Sequence, residues 1–327
     1  MIYPHVPEDI ANALRSCKKA IIIGHVAPDG DCCCSEIAMR YLLSKLGTKE
    51  ILLANAGPFE RPEIREWKDS FVSHIPAEWK SDDPLVIVVD CSTLDRIGHL
   101  ATEIEGLRTL VIDHHSTGVP FGDLRFIFTH SFSTTLLIQH LFVHLGVEID
   151  NFAAEHLFFG FATDTGFFRF IGPGRGETLR MAADLVDAGV SPNEIYDRMT
   201  GGRPIESIQY LAALIARIES FYDGKVLLVE DSKEDMVRFG EQNRPSDALY
   251  AALLSIDGVQ MVIFIKHIDG QSIELGLRSS HSSDIDVGAL AGLLGGGGHC
   301  KAAGATVQQS IQEVRNFLLT AISEKIN

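Results

Sequence analysis

Four stretches of this chain share one construction, a short apolar run that closes on aspartate or histidine. Leu110-Val-Ile leads into Asp113, His114 and His115 and breaks at Ser116-Thr117-Gly118. Ala20-Ile-Ile-Ile-Gly leads into His25 and the turn Pro28-Asp29-Gly30-Asp31, and Leu85-Val-Ile-Val-Val ends in Asp90 before Cys91-Ser92-Thr93. Leu157-Phe-Phe-Gly-Phe-Ala-Thr reaches Asp164 ahead of Thr165-Gly166, and this run reads equally as a strand or a buried helix. Apolar runs without polar alternation are the mark of strands covered on both faces, as in a parallel sheet. In open α/β sheets the ligand sits just past the carboxyl ends of such strands. A single aspartate there is an ordinary turn former or helix cap. Several together place metal- and proton-handling groups along one rigid edge.

Between these runs the pattern is helical. Periodicity predicts helices over 35–46, stopped by Gly47, over 134–145, stopped by Gly146, and over 177–188, stopped by Gly189, with a further strand over 50–54. Strands alternating with helices make residues 1–190 an α/β domain, a mainly parallel sheet covered by helices. A helical linker over 191–221 follows. Gly201-Gly202-Arg203-Pro204 interrupts it, and a long amphipathic helix is expected over 205–221. Residues 222–327 restart with strands over 226–229, 259–266 and 272–278 and helices over 248–254 and 311–326, a smaller α+β domain.

The 327 residues suit two such domains, and 46% apolar residues suffice for two cores. A net charge of −16 argues against long duplex nucleic acid as a partner. It leaves phosphate substrates open, because carboxylates that hold cations count as negative in a sequence. Neither a secretory leader nor a membrane span is legible, so a soluble cytoplasmic protein is expected, and the reading leaves room for a homodimer. Cys32, Cys33 and Cys34 fall where a helix begins and are expected to be small, buried, reduced side chains.

The second domain has chemistry of its own. Four consecutive glycines, Gly295 to Gly298, precede His299, and Ala302-Ala-Gly304 follows. Such a run costs conformational entropy unless the backbone must approach something closely. Successive exposed amides there would make an anion-binding nest over Gly296, Gly297 and Gly298, with His299 as an added donor. Arg278, at a strand end beside Ser279, offers a bidentate fork for phosphate. In the first domain, His25, Asp29, Asp31, Asp90, His114 and Asp164 are enough donors for two divalent cations if a carboxylate bridges. Oxygen and imidazole without thiolate suit Mn²⁺, with Mg²⁺, Co²⁺, Fe²⁺ or Zn²⁺ as alternatives.

His25-Val-Ala-Pro-Asp-Gly-Asp31, Val89-Asp90, Asp113-His114-His115 and Ala162-Thr-Asp-Thr-Gly166 resemble the motifs of the DHH phosphoesterase family. Arg278 and Gly295-Gly-Gly-Gly-His299 with Ala302-Ala-Gly304 look like its associated C-terminal substrate domain. The resemblance covers nearly the whole chain. It implies one Mn²⁺ on His25, Asp29 and Asp90 and another on Asp31, Asp90, His114 and Asp164, with Asp90 bridging. It also implies that Asp113 orients the histidines and His115 faces the substrate phosphate, while Arg278 and Gly296 to His299 hold the far end of a nucleotide and Arg169 is a further phosphate contact. In place of a glycine often found before the serine, this chain has Cys34 before Ser35. Size and spacing resemble bacterial phosphodiesterases of very short RNA and phosphatases of 3′-phosphoadenosine-5′-phosphate (pAp). The expected substrates are therefore short oligoribonucleotides, linear dinucleotides such as pApA, and pAp. Rival readings are a RecJ-like single-strand exonuclease, a family II inorganic pyrophosphatase and a non-catalytic nucleotide sensor.

Overall fold

In the computed structural model, residues 5–116, 118–268 and 272–323 are described. The chain divides into two compact units, Met1–Gly202 and Arg203–Asn327.

The first unit runs α1 (Glu8–Ser16), β1 (Lys19–Ile23), α2 (Gly30–Leu46), β2 (Glu50–Ala54), β3 (Leu85–Val89), α3 (Leu100–Glu103), β4 (Thr109–Asp113) and β5 (Leu124–Ile127). Helices α4 (Thr134–Leu145), α5 (Asn151–Asp164), α6 (Gly176–Asp187) and α7 (Pro192–Thr200) complete it. The sheet is parallel throughout, in the order β2-β1-β3-β4-β5. Every residue of β1, β3 and β4 is buried. Because successive side chains point to opposite faces, each apolar run feeds two cores. Ala20, Ile22, Ile87, Val89, Leu110 and Ile112 pack on the face covered by α2, α4 and α5. Ile21, Ile23, Val86, Val88 and Val111 pack on the other, with Ile97 and Leu100. A run apolar at every position is what such a sheet requires. The run over 157–164 is the end of helix α5, started by Asp150, whose side chain accepts from the Ala153 amide.

The second unit contains α8 (Ile205–Ile215), β6 (Glu219–Phe221), β7 (Val226–Glu230), α9 (Lys233–Phe239), α10 (Ser246–Leu254), β8 (Met261–His267) and β9 (Ile273–Ser279). It ends with α11 (Val287–Gly292), β10 (Gly297–His299), β11 (Ala302–Val307) and α12 (Ile311–Ser323). The continuation of the last helix to Ile326 expected from the sequence lies outside the described residues, as does Thr117. The six strands form one mixed sheet, β10-β11-β9-β8-β7-β6, in which β7 and β8 are parallel and the other pairs antiparallel.

Two expectations are corrected here. The helix over 205–221 stops at Ile215, and Glu219–Phe221 is a strand paired antiparallel with β7. Edge pairing to a ready-made sheet outweighs the helical periodicity, and Tyr222 and Asp223, both at positive φ, make the return turn. The glycine run is not an open loop of amides. Gly297, Gly298 and His299 pair with Gly304, Ala303 and Ala302 in a hairpin. A Cβ on Gly298 would sit 2.5 Å from the Ala302 carbonyl oxygen, and φ there is +142°. Close strand contact explains that glycine.

Candidate metal centre

The centre is assembled at the carboxyl edge of the five-stranded sheet. His25 follows β1, Asp90 follows β3, and Asp113 closes β4 ahead of His114 and His115. Asp29 caps α2, accepting the Cys32 amide at 3.0 Å, and Asp31 lies in the first turn of that helix. Asp164 ends α5. Gly160 lets α5 come close, since a Cβ there would lie 2.9 Å from Asp31 Oδ1.

Asp90 is central. It is 3% exposed and adopts φ +57°, a left-handed conformation that aspartate tolerates better than most residues. Its Oδ2 is 3.5 Å from His25 Nε2, and its Oδ1 is 3.5 Å from His114 Nε2. The two oxygens of one carboxylate thus face two different imidazoles. His25 Nε2 is 3.8 Å from Asp29 Oδ1, and His114 Nε2 is 3.2 Å from Asp164 Oδ2. Donor atoms of Asp31, His114 and Asp164 lie within 4.8 Å of one another.

Whether these groups fit cations is decided by where the imidazole protons go. His25 Nδ1 is 2.8 Å from the Val26 carbonyl oxygen, and His114 Nδ1 is 3.3 Å from that of Ser131. A proton donated at each Nδ1 leaves the Nε2 lone pair aimed into the cluster, as metal-ligating histidines require. With no cation present, the carboxylates draw a proton onto those same Nε2 atoms, the place a cation would take. Burial by itself lowers the His25 pKa, but Asp29 and Asp90 outweigh it and raise the group to about 10. Burial likewise opposes protonation of His114, and Asp164, Asp90 and Asp31 raise it to about 12. Burial, with repulsion from Asp90 and Asp164, pushes the Asp31 carboxyl well up. Four carboxylates this close need positive charge between them, and oxygen with imidazole is a donor set for hard or borderline divalent cations. The set fits two.

The outer contacts were not legible as motifs. Asp31 Oδ2 accepts the Thr134 amide at 2.7 Å, and its Oδ1 accepts the Thr135 amide at 3.0 Å and hydroxyl at 2.7 Å. Thr134 also donates its hydroxyl to Asp90 Oδ1 at 2.9 Å. These threonines open α4 more than a hundred residues from Asp31 and 44 from Asp90, so spacing gave no hint of them. Asp113 Oδ1 receives the His114 amide at 2.8 Å, the His115 amide at 3.3 Å and His115 Nδ1 at 2.7 Å. That contact and Asp90 raise the His115 pKa against its partial burial. Arg169 is exposed, with Nε donating to the Gly166 carbonyl. Cys32, Cys33 and Cys34 are buried and free, their thiols pushed up by burial.

In the second unit, Arg278 stacks its guanidinium 4.6 Å from the Tyr250 ring centre. Both line a cavity of about 350 Å³ with Lys266, Gly297, Gly298 and Gly304. Tyr250 and Lys266 stand outside any motif, and the sequence reading missed them. Gly296 lines a neighbouring cavity, with Gly295, Gly304, Ala305 and Thr306. Ser279, next to Arg278 on β9, faces away; it is buried and bonds the Cys300 carbonyl. His299 is exposed on the edge strand β10.

Residues 19–161 match the DHH family N-terminal domain and residues 229–327 the DHHA1 domain. The chain is 27% identical over 321 residues to the bifunctional oligoribonuclease and PAP phosphatase NrnA of Thermus thermophilus, covering 97% of this chain and 93% of that one. The Bacillus subtilis protein of the same name is 26% identical over 293 residues, 88% of each chain. An exopolyphosphatase-related protein from Bacteroides fragilis superposes with a TM-score of 0.86 at 20% identity, over 97% of this chain and 95% of that structure, which speaks for the fold. With both domains matched, and the matched segments spanning most of its length, this chain belongs to the DHH family of phosphoesterases.

Proposed function

We propose that the protein hydrolyses short oligoribonucleotides and linear dinucleotides to mononucleotides, and removes the 3′-phosphate of pAp, with two divalent cations, Mn²⁺ foremost, in its first unit. The observation that carries this reading is the split of the Asp90 carboxylate between two histidines whose Nε2 atoms both face it. His25, Asp29 and Asp90 would hold one cation, and Asp31, Asp90, His114 and Asp164 the other. Such cations, when bound, would supply a water of lowered pKa and positive charge against the phosphate.

The residues supply the rest. Asp113, nine-tenths and more buried, fixes the ring of His115 through Nδ1, which leaves Nε2–H free to donate to charge growing on the phosphate. Thr134 and Thr135 hold Asp31 and Asp90 in place, so little reorganisation is needed when charge shifts. Arg278, held over the Tyr250 ring, offers its guanidinium to a second phosphate, and amides on the edge strand β10 supply further donors. Nucleotide specificity belongs to that cavity, and bond cleavage to the metal centre. Full-length similarity to two bifunctional oligoribonucleases supports the substrate class.

The test is a parallel assay of pApA, end-labelled RNAs from dimer to 24-mer, pAp and inorganic pyrophosphate on one Mn²⁺-loaded preparation. Rapid turnover of pApA and pAp, falling steeply beyond about five nucleotides, is expected from the site size of small single-strand-binding domains. A 24-mer degraded as fast as a dimer would favour a processive exonuclease, and pyrophosphate as the best substrate would overturn the nucleotide assignment.

A further inference from the structure

A second group of cation donors lies on the first unit, formed by residues distinct from the catalytic set. His74, in the connection between β2 and β3, stacks on His99 with ring centres 4.4 Å apart. Glu103 stands beside both. His74 Nδ1 is 2.7 Å from Glu103 Oε1, and His99 Nε2 is 4.0 Å from the same oxygen. One donor atom from each residue falls within 4.8 Å of the others. A tetrahedral zinc ion, with bonds of about 2.0–2.1 Å, keeps its ligand atoms roughly 3.3 Å apart. The two separations, 2.7 and 4.0 Å, bracket that value, and the His74 and His99 side chains, 72% and 44% exposed, have room to turn toward the fixed Glu103 carboxylate.

The carboxylate is prepared for the role. Glu103 Oε2 accepts the Ile75 amide at 2.7 Å, which turns Oε1 toward the imidazoles. Burial opposes its ionisation, but the Ile75 amide and His74 outweigh that and hold its pKa low, so it is anionic at neutral pH. With no cation bound, His99 Nε2 donates its proton to the Ser73 carbonyl oxygen at 2.7 Å, and a cation would displace that proton to take the nitrogen's lone pair. His99 and Glu103 are four residues apart across one turn, while His74 comes from a different segment. A cation here would staple the long β2–β3 connection to α3.

The staple would reach the catalytic edge. His99 follows Gly98, whose Cβ position is 2.7 Å from Val26, and the Arg96 carbonyl accepts the Val26 amide at 2.8 Å. Val26 adjoins His25, whose Nδ1 proton its carbonyl receives. The turn behind a catalytic ligand is thus continuous with the segment that carries His99 and Glu103.

We propose that His74, His99 and Glu103 form a third cation site, selective for zinc-class transition ions over Mn²⁺ and Mg²⁺. Two imidazoles with one carboxylate favour late first-row ions by the usual affinity order. The proposal does not depend on the substrate reading, because its readout is binding.

The test uses the full chain dialysed against Zn²⁺ in the presence of saturating Mn²⁺, with metals counted by mass spectrometry. Wild type should hold one more zinc per chain than His74→Ala and than His99→Ala. Both variants should retain wild-type circular dichroism and Mn²⁺-supported hydrolysis, since the His74 and His99 side chains, 72% and 44% exposed, lie outside the cores. Added Zn²⁺ should raise the melting temperature of wild type and leave that of the variants unchanged. Equal zinc per chain in all three proteins would overturn the proposal. So would loss of zinc in the variants accompanied by equal loss of Mn²⁺, which would show that the residues support the catalytic centre instead.

Discussion

Asp113 touches no cation in the proposed arrangement, and the consequence of changing it can be worked from its contacts. Asp113→Asn keeps size and one oxygen, so the amides of His114 and His115 retain an acceptor. What is lost is the negative charge against His115 Nδ1, at 2.7 Å. A hydrogen bond to a charged partner contributes about 1.5–3 kcal/mol and a neutral one about 0.5–1.5. The difference, roughly 1–1.5 kcal/mol, is reduced because the His115 side chain is 43% exposed. The expected loss is about three- to tenfold in kcat on pApA. The pH profile should move too. Asp113 is the main cause of the raised His115 pKa. In the wild type the protonated ring persists to higher pH, and activity that needs its proton falls as pH rises through that pKa. In the variant this fall should begin at lower pH. The assay is kcat against pH with Mn²⁺ at saturation. An unchanged rate and an unchanged alkaline limb would refute the role given to His115.

Thr135→Val should remove the hydroxyl that Asp31 accepts and weaken Mn²⁺ binding about 10- to 100-fold, measured by calorimetry. Arg278→Ala should raise KM for pApA and pAp while sparing bis-p-nitrophenyl phosphate, and equal losses on both would mean the arginine serves folding instead. Metal-free protein should lose stability as pH rises. His25 and His114 have folded pKa values of about 10 and about 12, so their contribution is complete below the ordinary value of 6.5 and is lost as pH climbs through the folded ones. Thermal melts in chelator should therefore show a falling Tm above pH 6.5, and Mn²⁺ should abolish the slope.

The cluster at the sheet edge was legible because most of its residues lie at the ends of β1, β3 and β4, and strands buried on both faces announce themselves as unbroken apolar runs. Asp164 was found as a chemical group while its element stayed open. A short apolar run has no period that separates strand from helix, and only the cap at Asp150 settles α5. The edge strand β5 went unread because Leu124–Ile127 is only partly buried, and half-exposed strands lack the apolar signal. Residues 295–299 were read as an open loop of amides, whereas 297–299 form a strand. Glycine disfavours strands in general, yet here the facing β11 backbone comes so close that nothing larger fits at Gly298. Thr134, Thr135, Tyr250 and Lys266 carry no local signature, because their roles arise from tertiary contacts.

The central claim is that one carboxylate serves two cations, and Asp90→Asn tests it most directly. The variant keeps the size of the side chain and the bond from Thr134 but loses the charge shared by His25 and His114. Mn²⁺ per chain and turnover of pApA should be measured on the same folded sample. The account predicts that both cations are weakened together, with hydrolysis lost at metal concentrations that saturate the wild type. Two tightly held Mn²⁺ and near-normal turnover in Asp90→Asn would contradict it.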